Sequence, residues 1–219
     1  LVVEMVLELL MNPKKAERRP WELFFIGIVY ATVALFLALW IFEEQAGLVM
    51  VFLTVLACTY LIQGTLSLEE NKDETSKKDF LLKEHSKALL YFVFLFLGFV
   101  AAFSILYIIL PISLVESVFD IQIKTISAIN TSFGTDTLFL SKIFFSNMKV
   151  LFFTILFAFF YGAGAVFILA WNASVVGAAI GNVIRSRLAE FAQEAGFMFI
   201  SQHFSAVSFG VLRYLTHGV

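Results

Sequence analysis

The chain has 219 residues, of which 60% are hydrophobic, with a mean hydropathy of +0.91 and a formal net charge of −2. Soluble domains are about 45–50% apolar, so this composition is typical of a membrane protein. The lack of a basic excess argues against nucleic-acid binding. The single cysteine, Cys58, excludes an intramolecular disulfide and a cysteine metal cluster.

The first predicted element is a short amphipathic helix within residues 1–12 that lies on the membrane surface. Apolar residues fill one side of it, whereas Glu4 and Glu8 lie one turn apart on the other side. We interpret residues 1–20 as a cytoplasmic N-terminal segment because a basic cluster follows this helix, made up of Lys14, Lys15, Arg18 and Arg19.

Three uncharged stretches then predict membrane spans, over residues 23–42, 46–66 and 88–110. Each is close to the roughly 20 residues that a helix needs to cross about 30 Å of hydrocarbon. Trp21 and Trp40 would lie about 28 Å apart along the first span, in opposite aromatic belts. A charged stretch from Glu69 to Lys87 is predicted to be the loop between the second and third spans.

Residues 112–147 are predicted to form an amphipathic loop on the outer side of the membrane. Within it we expect one helix that rests on the outer leaflet and breaks near Gly134. Ile112, Val115 and Phe119 recur at helical spacing, so they define the apolar face of that helix. Such a helix lies in the membrane interface or binds a partner protein, and the spacing permits both.

The longest uncharged run, from Val150 to Ile184, is the most informative feature of the chain. As a single helix it would be roughly 50 Å long, against about 30 Å of hydrocarbon. We therefore predict a fourth span at 148–171, a break near the glycines or Asn172, and partial helices at 173–184 and 188–216. The last of these is a fifth helix, either embedded in the bundle or interfacial.

Small and polar residues in and around this run are the candidate functional positions. Closely spaced small residues let helix backbones approach each other, and broken membrane helices line cavities. The candidate packing and helix-break positions are Gly162, Gly164, Gly177 and Gly181. Buried amides and imidazoles need hydrogen-bond partners, so we expect structural contacts or a polar site at Asn147, Asn172, Asn182, His203 and His217.

The sequence contains no HExxH pattern, no nucleophile motif and no phosphate-binding loop. We therefore predict no catalytic residue, no metal site and no cofactor, and a protein that is not an enzyme. The predicted fold is an all-α polytopic transmembrane bundle, with residues 21–219 as the transmembrane domain.

The basic residues predict the orientation of this bundle. Because basic residues are enriched on the cytoplasmic side, we place the N-terminal basic cluster, the lysines between Glu69 and Lys87, and Arg185 with Arg187 on that side. The protein is then expected to be a multi-pass protein of the cell membrane with its N-terminus in the cytoplasm.

A set of short motifs resembles the stage II sporulation protein M family of bacterial and archaeal membrane proteins. The motifs are Phe144-x-x-Asn147, Gly162-x-Gly164, Trp171-Asn172-Ala173, Gly177 and His217-Gly218, and the resemblance covers roughly residues 80 to 219. The family often has Asn-Gly in place of Asn172-Ala173, and it has a Glu shortly after the His-Gly pair. Since this sequence stops before that position, we expect a further C-terminal span, on which any site at His217 depends.

The resemblance implies a non-enzymatic membrane scaffold or assembly factor. In spore-forming bacteria the family member holds cell-wall-degrading enzymes at the septal membrane during engulfment. We therefore expect membrane lipids and membrane or extracytoplasmic proteins as partners, and we expect no binding of nucleic acid. Whether the protein forms a homo-oligomer is left open. The alternative is a transporter or lipid-handling permease with a broken helix near Gly162–Asn172, and a third hypothesis is an intramembrane hydrolase that uses His217.

Overall fold

A computed structural model of the chain describes residues 19–75, 86–132 and 163–194, with isolated positions between 145 and 152. The described residues contain no strand, which agrees with the predicted all-α class. Their helices are α1 (Glu22–Ile41), α2 (Ala46–Thr75), α3 (Ser86–Ile109), α4 (Ile112–Val118), α5 (Asp120–Ser132) and α6 (Ala163–Glu194), and a short 3-10 turn (Glu43–Gln45) joins α1 to α2.

Three of these helices are long and apolar enough to cross a membrane: Glu22–Ile41 in α1, Leu89–Ile109 in α3 and Gly164–Glu190 in α6. The apolar part of α2, Ala46–Thr59, is shorter than this and is not among the candidate spans. The described residues therefore support a helical membrane protein with three candidate spans, and two of them, in α1 and α3, coincide with the predicted spans at 23–42 and 88–110.

The first helix has the ends that its sequence predicts. It begins directly after Pro20 and Trp21, and Arg19 Nη1 lies 3.2 Å from Glu22 Oε1 in the first turn. Trp21 and Trp40, at the two ends of α1, are 52% and 74% exposed. Two exposed indoles at this separation fit the aromatic belts of a membrane-spanning helix.

The last described helix differs from the prediction. The predicted span at 148–171 overlaps only the first part of α6, and the helix runs without interruption through Asn172, Gly177 and Gly181 to Glu194. The expected breaks at these three positions are absent, so the partial helices predicted at 173–184 and 188–216 become one helix as far as Glu194. A helix keeps its backbone hydrogen bonds at a glycine, and a neighbouring helix packs on the exposed backbone.

The predicted outer helix also differs from the structure. Residues 112–132 form two helices, α4 and α5, which meet at Phe119. Val115, Val118 and Phe119 are buried, and the Phe119 ring contacts those of Phe103 and Tyr107 at centroid distances of 6.4 and 5.2 Å. This segment is therefore packed into the bundle, and it does not merely rest on a surface. Gly134 lies outside the described residues.

Only part of the charged stretch from Glu69 to Lys87 connects α2 to α3. The second helix continues through Glu69 as far as Thr75, and the third begins at Ser86. The helical charged segment extends α2 beyond its apolar part, because nothing in residues 69–75 breaks a helix: they include neither glycine nor proline.

The third helix is central and packs against both α1 and α6. Where α3 crosses α1, a Cβ atom on Gly98 would overlap the carbonyl oxygen of Phe24 and lie 3.1 Å from Gly27 Cα. Where α3 meets α6, a Cβ atom on Gly177 would lie 2.7 Å from Phe103 Cβ. Glycine at these positions is what allows the helices to approach to backbone contact.

The third and sixth helices run parallel. Phe103 meets Gly177, Tyr107 meets Gly181, and Arg185 donates a hydrogen bond to Leu110, so the contacts advance together along both helices. The turn Glu43–Gln45 lies at the same end of the bundle, because α4 directly follows α3 and packs against that turn.

The parallel arrangement differs from the arrangement that the charge pattern predicts. Arg185 lies at the C-terminal end of α3, whereas Lys87 lies in its first turn. Arg185 and Lys87 therefore lie at opposite ends of α3, whereas the charge pattern predicts that both lie on the cytoplasmic side of the membrane. The charge rule counts basic residues in loops, but the guanidinium of Arg185 is engaged with helix carbonyl groups.

Candidate functional site

The structure describes some of the predicted site residues and separates those that it describes. Asn172 is half-buried and Asn182 is exposed, and both lie on α6, about 15 Å apart along its axis. They do not form one polar site. Gly164 lies in the first turn of α6, whereas Gly177 and Gly181 face α3. Seven predicted positions lie outside the described residues: Lys14, Lys15, Arg18, Asn147, Gly162, His203 and His217.

A buried polar junction joins α2, α5 and α6. Gln122 Nε2 donates to Ser174 Oγ at 3.1 Å and to the Gly47 carbonyl oxygen at 3.4 Å. Ser174 Oγ in turn donates to the Trp171 carbonyl oxygen at 2.8 Å. Gln122 and Ser174 are fully buried, and Gln122 Oε1 has no partner among the described residues. We call these residues, Gly47, Gln122, Trp171 and Ser174, the polar junction.

The polar junction depends on a glycine at its centre. A Cβ atom on Gly47 would lie 2.6 Å from the Val118 carbonyl oxygen, so any larger residue would push α2 away from the end of α4. That close approach is what brings the Gly47 carbonyl group within reach of Gln122. The junction is therefore a helix contact of the kind in which polar side chains hold membrane helices together.

Gln122 is not among the positions predicted from the sequence. The available signal was its position: Gln122 follows Val115, Val118 and Phe119 at helical spacing and so falls on their apolar face. A polar residue in the middle of an apolar face needs a buried partner. A helix predicted to lie on a surface needs no buried partner for its polar residues, so that prediction does not point to Gln122.

A second polar group lies at the end of the bundle where α3 stops. Arg185 Nη1 donates to the Tyr107 carbonyl oxygen at 3.0 Å and to the Leu110 carbonyl oxygen at 2.9 Å. The Tyr107 hydroxyl donates to Asn182 Oδ1 at 3.4 Å. We call Tyr107, Asn182 and Arg185 the edge cluster.

The edge cluster has a clear electrostatic basis. The last carbonyl groups of a helix have no partner within the helix, and the helix dipole places partial negative charge there. The guanidinium of Arg185 donates hydrogen bonds to carbonyl groups at this end and places a positive charge beside their partial negative charge. Arg187, which was grouped with Arg185 as a topology-determining residue, is exposed instead and pairs with Glu190 Oε2 at 3.0 Å.

The two polar groups make contacts between helices, and neither pairs a nucleophile with a base. Among the described residues, no group of histidine, cysteine, aspartate or glutamate side chains is arranged to hold a metal ion. Comparison of the chain with protein-family models, with curated proteins and with solved structures finds no match. The polar junction and the edge cluster are therefore interpreted from their own geometry.

Proposed function

We propose that this chain is an integral protein of the cell membrane that acts as a non-enzymatic scaffold or assembly factor, similar in role to the stage II sporulation protein M family. The observation that carries the proposal is the presence of two groups of polar side chains that hydrogen-bond between helices. Gln122 and Ser174 join three helices, and Arg185 joins two. A bundle held in this way is a fixed platform for other proteins.

The close helix crossings support the same role. Gly98 with Gly27, and Gly177 with Phe103, bring α3 to backbone contact with α1 and α6. Closely packed interiors transmit strain and deform little. A scaffold requires a surface of constant shape, and this packing provides it.

The exposed apolar side chains support a location within the lipid bilayer. Phe25, Val29, Val33 and Phe36 form one exposed stripe along α1, and Leu48, Phe52 and Leu56 form another along α2. Exposed apolar stripes of this kind mark surfaces that contact lipid or other proteins. Lipid tails would cover them in a membrane.

We further propose that the N-terminus is cytoplasmic and that the chain has more than three crossings. The basic cluster before α1 supports the cytoplasmic side. Because α3 and α6 run parallel, a chain that crosses the membrane in both has to return between Ile109 and Ala163. With crossings in α1 and α2, this gives five crossings, one more than the four spans predicted from the sequence.

The scaffold proposal is tested by crosslinking and affinity purification of the full-length protein from its native membrane, followed by mass spectrometry. We expect a defined set of membrane or extracytoplasmic proteins. Gly181→Leu, which adds bulk against Tyr107, should lose this set, whereas Val183→Leu, on the exposed side of α6, should retain it. Recovery of the protein alone, or with lipid only, contradicts the proposal.

One observation favours the alternative permease function. Asn172 is half-buried within the apolar stretch of α6, and an unpartnered amide in hydrocarbon is costly. A hydrated cavity would solvate it. In a Cys58→Ser background, labelling of Asn172→Cys in membranes by a water-soluble maleimide supports the permease. If Asn172→Cys reacts no faster than Val176→Cys one turn away, the cavity is refuted.

A further inference from the structure

The guanidinium of Arg185 is anchored at the end of α3 through only one of its nitrogen atoms. Nη1 makes both hydrogen bonds, to the carbonyl oxygens of Tyr107 and Leu110. A guanidinium carries five N–H donors in a planar fork. The donors on Nε and Nη2 have no acceptor among the described residues, so this edge of the group is available to an anion.

Asn182 places further donors beside this edge. It lies one turn before Arg185 on α6, and residues three apart on a helix are neighbours. Its Oδ1 atom accepts the hydrogen bond from the Tyr107 hydroxyl, which turns the amide nitrogen away from Tyr107. Asn182 is exposed, so the N–H groups of its amide and those of Arg185 are available on the same part of the surface.

The edge cluster lies near the ends of two candidate membrane spans, where lipid phosphates would be found if these helices cross a membrane. Arg185 is in the last turns of the candidate span Gly164–Glu190 and beside the end of the span Leu89–Ile109. The exposed side chains of Ile180, Val183 and Ile184 flank it on α6. An acyl chain could lie along these residues while its headgroup reaches Arg185.

Of the two arginines that the structure describes on α6, Arg185 is the one without a carboxylate partner among the described residues. Arg187 is paired with Glu190. Glu116 on α4, a carboxylate close enough to interact electrostatically with Tyr107, is exposed, so water and salt screen its charge.

We propose that the edge cluster binds the phosphodiester headgroup of an anionic membrane lipid. The fork of Arg185 contacts two phosphate oxygens, since planar guanidinium groups match phosphate in this bidentate way. The Asn182 amide donates to a third oxygen. The carbonyl groups at the end of α3 keep the guanidinium oriented when the lipid exchanges.

The proposal is tested with the full-length protein in neutral detergent micelles, titrated with phosphatidylglycerol and analysed by native mass spectrometry. Arg185→Gln should weaken binding about tenfold, the effect of one charge-assisted contact, and Asn182→Ala about threefold. Arg187→Gln is the matched control and should bind as the unchanged protein does. Asn182→Ala leaves the Arg185 anchor in place, so it remains informative if Arg185→Gln does not fold.

Three results decide the proposal. Wild-type affinity in both Arg185→Gln and Asn182→Ala overturns it, as does equal binding of diacylglycerol, which lacks the phosphate. Displacement of phosphatidylglycerol by inorganic phosphate at matched concentration retains the phosphate contact but overturns its assignment to a lipid. Binding of phosphatidylglycerol that inorganic phosphate does not displace, and that both variants weaken, supports it.

Discussion

Gln122 shows how one side chain carries both packing and hydrogen bonding. Its amide nitrogen bonds to α2 and α6, but its oxygen has no partner among the described residues. A buried acceptor without a partner costs free energy, which offsets part of what the two hydrogen bonds contribute. The packing of the side chain therefore contributes more to stability than its hydrogen bonds do.

Substitutions at Gln122 separate these two contributions. Gln122→Met keeps most of the volume and removes both the hydrogen bonds and the unpartnered oxygen, so we expect a change within about 1 kcal/mol. Gln122→Ala leaves a cavity and should cost about 2–4 kcal/mol. Unfolding in mixed micelles measures both, with the exposed Lys124→Ala as control. Equal losses for Met and Ala would show that hydrogen bonding dominates.

The crossing of α1 and α3 shows how two helices are brought together without large side chains. Gly98 and Gly27 face each other, and the space at Gly98 is limited by the backbone carbonyl of Phe24. Backbone atoms cannot rotate away as a flexible side chain can. The distance between the two helices is therefore set by the absence of a Cβ atom at both glycines.

Gly98→Ala should destabilise the bundle by about 1–3 kcal/mol because α1 and α3 must separate to admit the methyl group. Leu97→Ala, at the neighbouring exposed position, should change the free energy of unfolding by less than about 0.5 kcal/mol. Thermal unfolding of both variants in the same detergent provides the comparison. An unchanged midpoint for Gly98→Ala would mean that the crossing adjusts without strain.

At the level of these elements, the sequence predicted much of the fold. The bounds of α1 and α3 follow from uncharged runs of membrane length, and the structure agrees within a few residues. The start of α6 and the continuity of that helix through Asn172 did not follow, because length alone does not decide where an apolar run longer than the membrane begins its span. Helix packing and a helix break were the two roles expected for Gly177 and Gly181. The structure places both glycines against α3.

The arrangement of the whole molecule is defined by the parallel pair α3 and α6. It places Arg187 and the Glu43–Gln45 turn at one end, and Arg19, which precedes α1, at the other. The charge pattern had predicted Arg187 and Arg19 on the same side. The packing of the helices places Arg187 and Arg19 at opposite ends of the bundle, whereas the distribution of basic residues predicts that they lie on the same side of the membrane.

Single cysteines decide between the two arrangements. In a Cys58→Ser background, Glu44→Cys and Arg187→Cys should react with a membrane-impermeant maleimide from the same side of sealed vesicles, and Arg19→Cys from the other side. All three positions are exposed, and Cys58 is buried. Reaction of Arg187→Cys together with Arg19→Cys would contradict the parallel packing.

The sequence by itself determined that this is a membrane-type helical protein and where two of its candidate spans lie, because the thickness of the hydrocarbon dictates the length of an apolar run. Only the tertiary structure decided the direction of α6, the inward position of Gln122 and the engagement of Arg185 with the end of α3. These features depend on contacts between residues 75 positions apart in the chain, such as Gly47 with Gln122 and Leu110 with Arg185. No local pattern encodes which of two distant polar groups will meet, since that depends on how the apolar faces of all the helices pack at once.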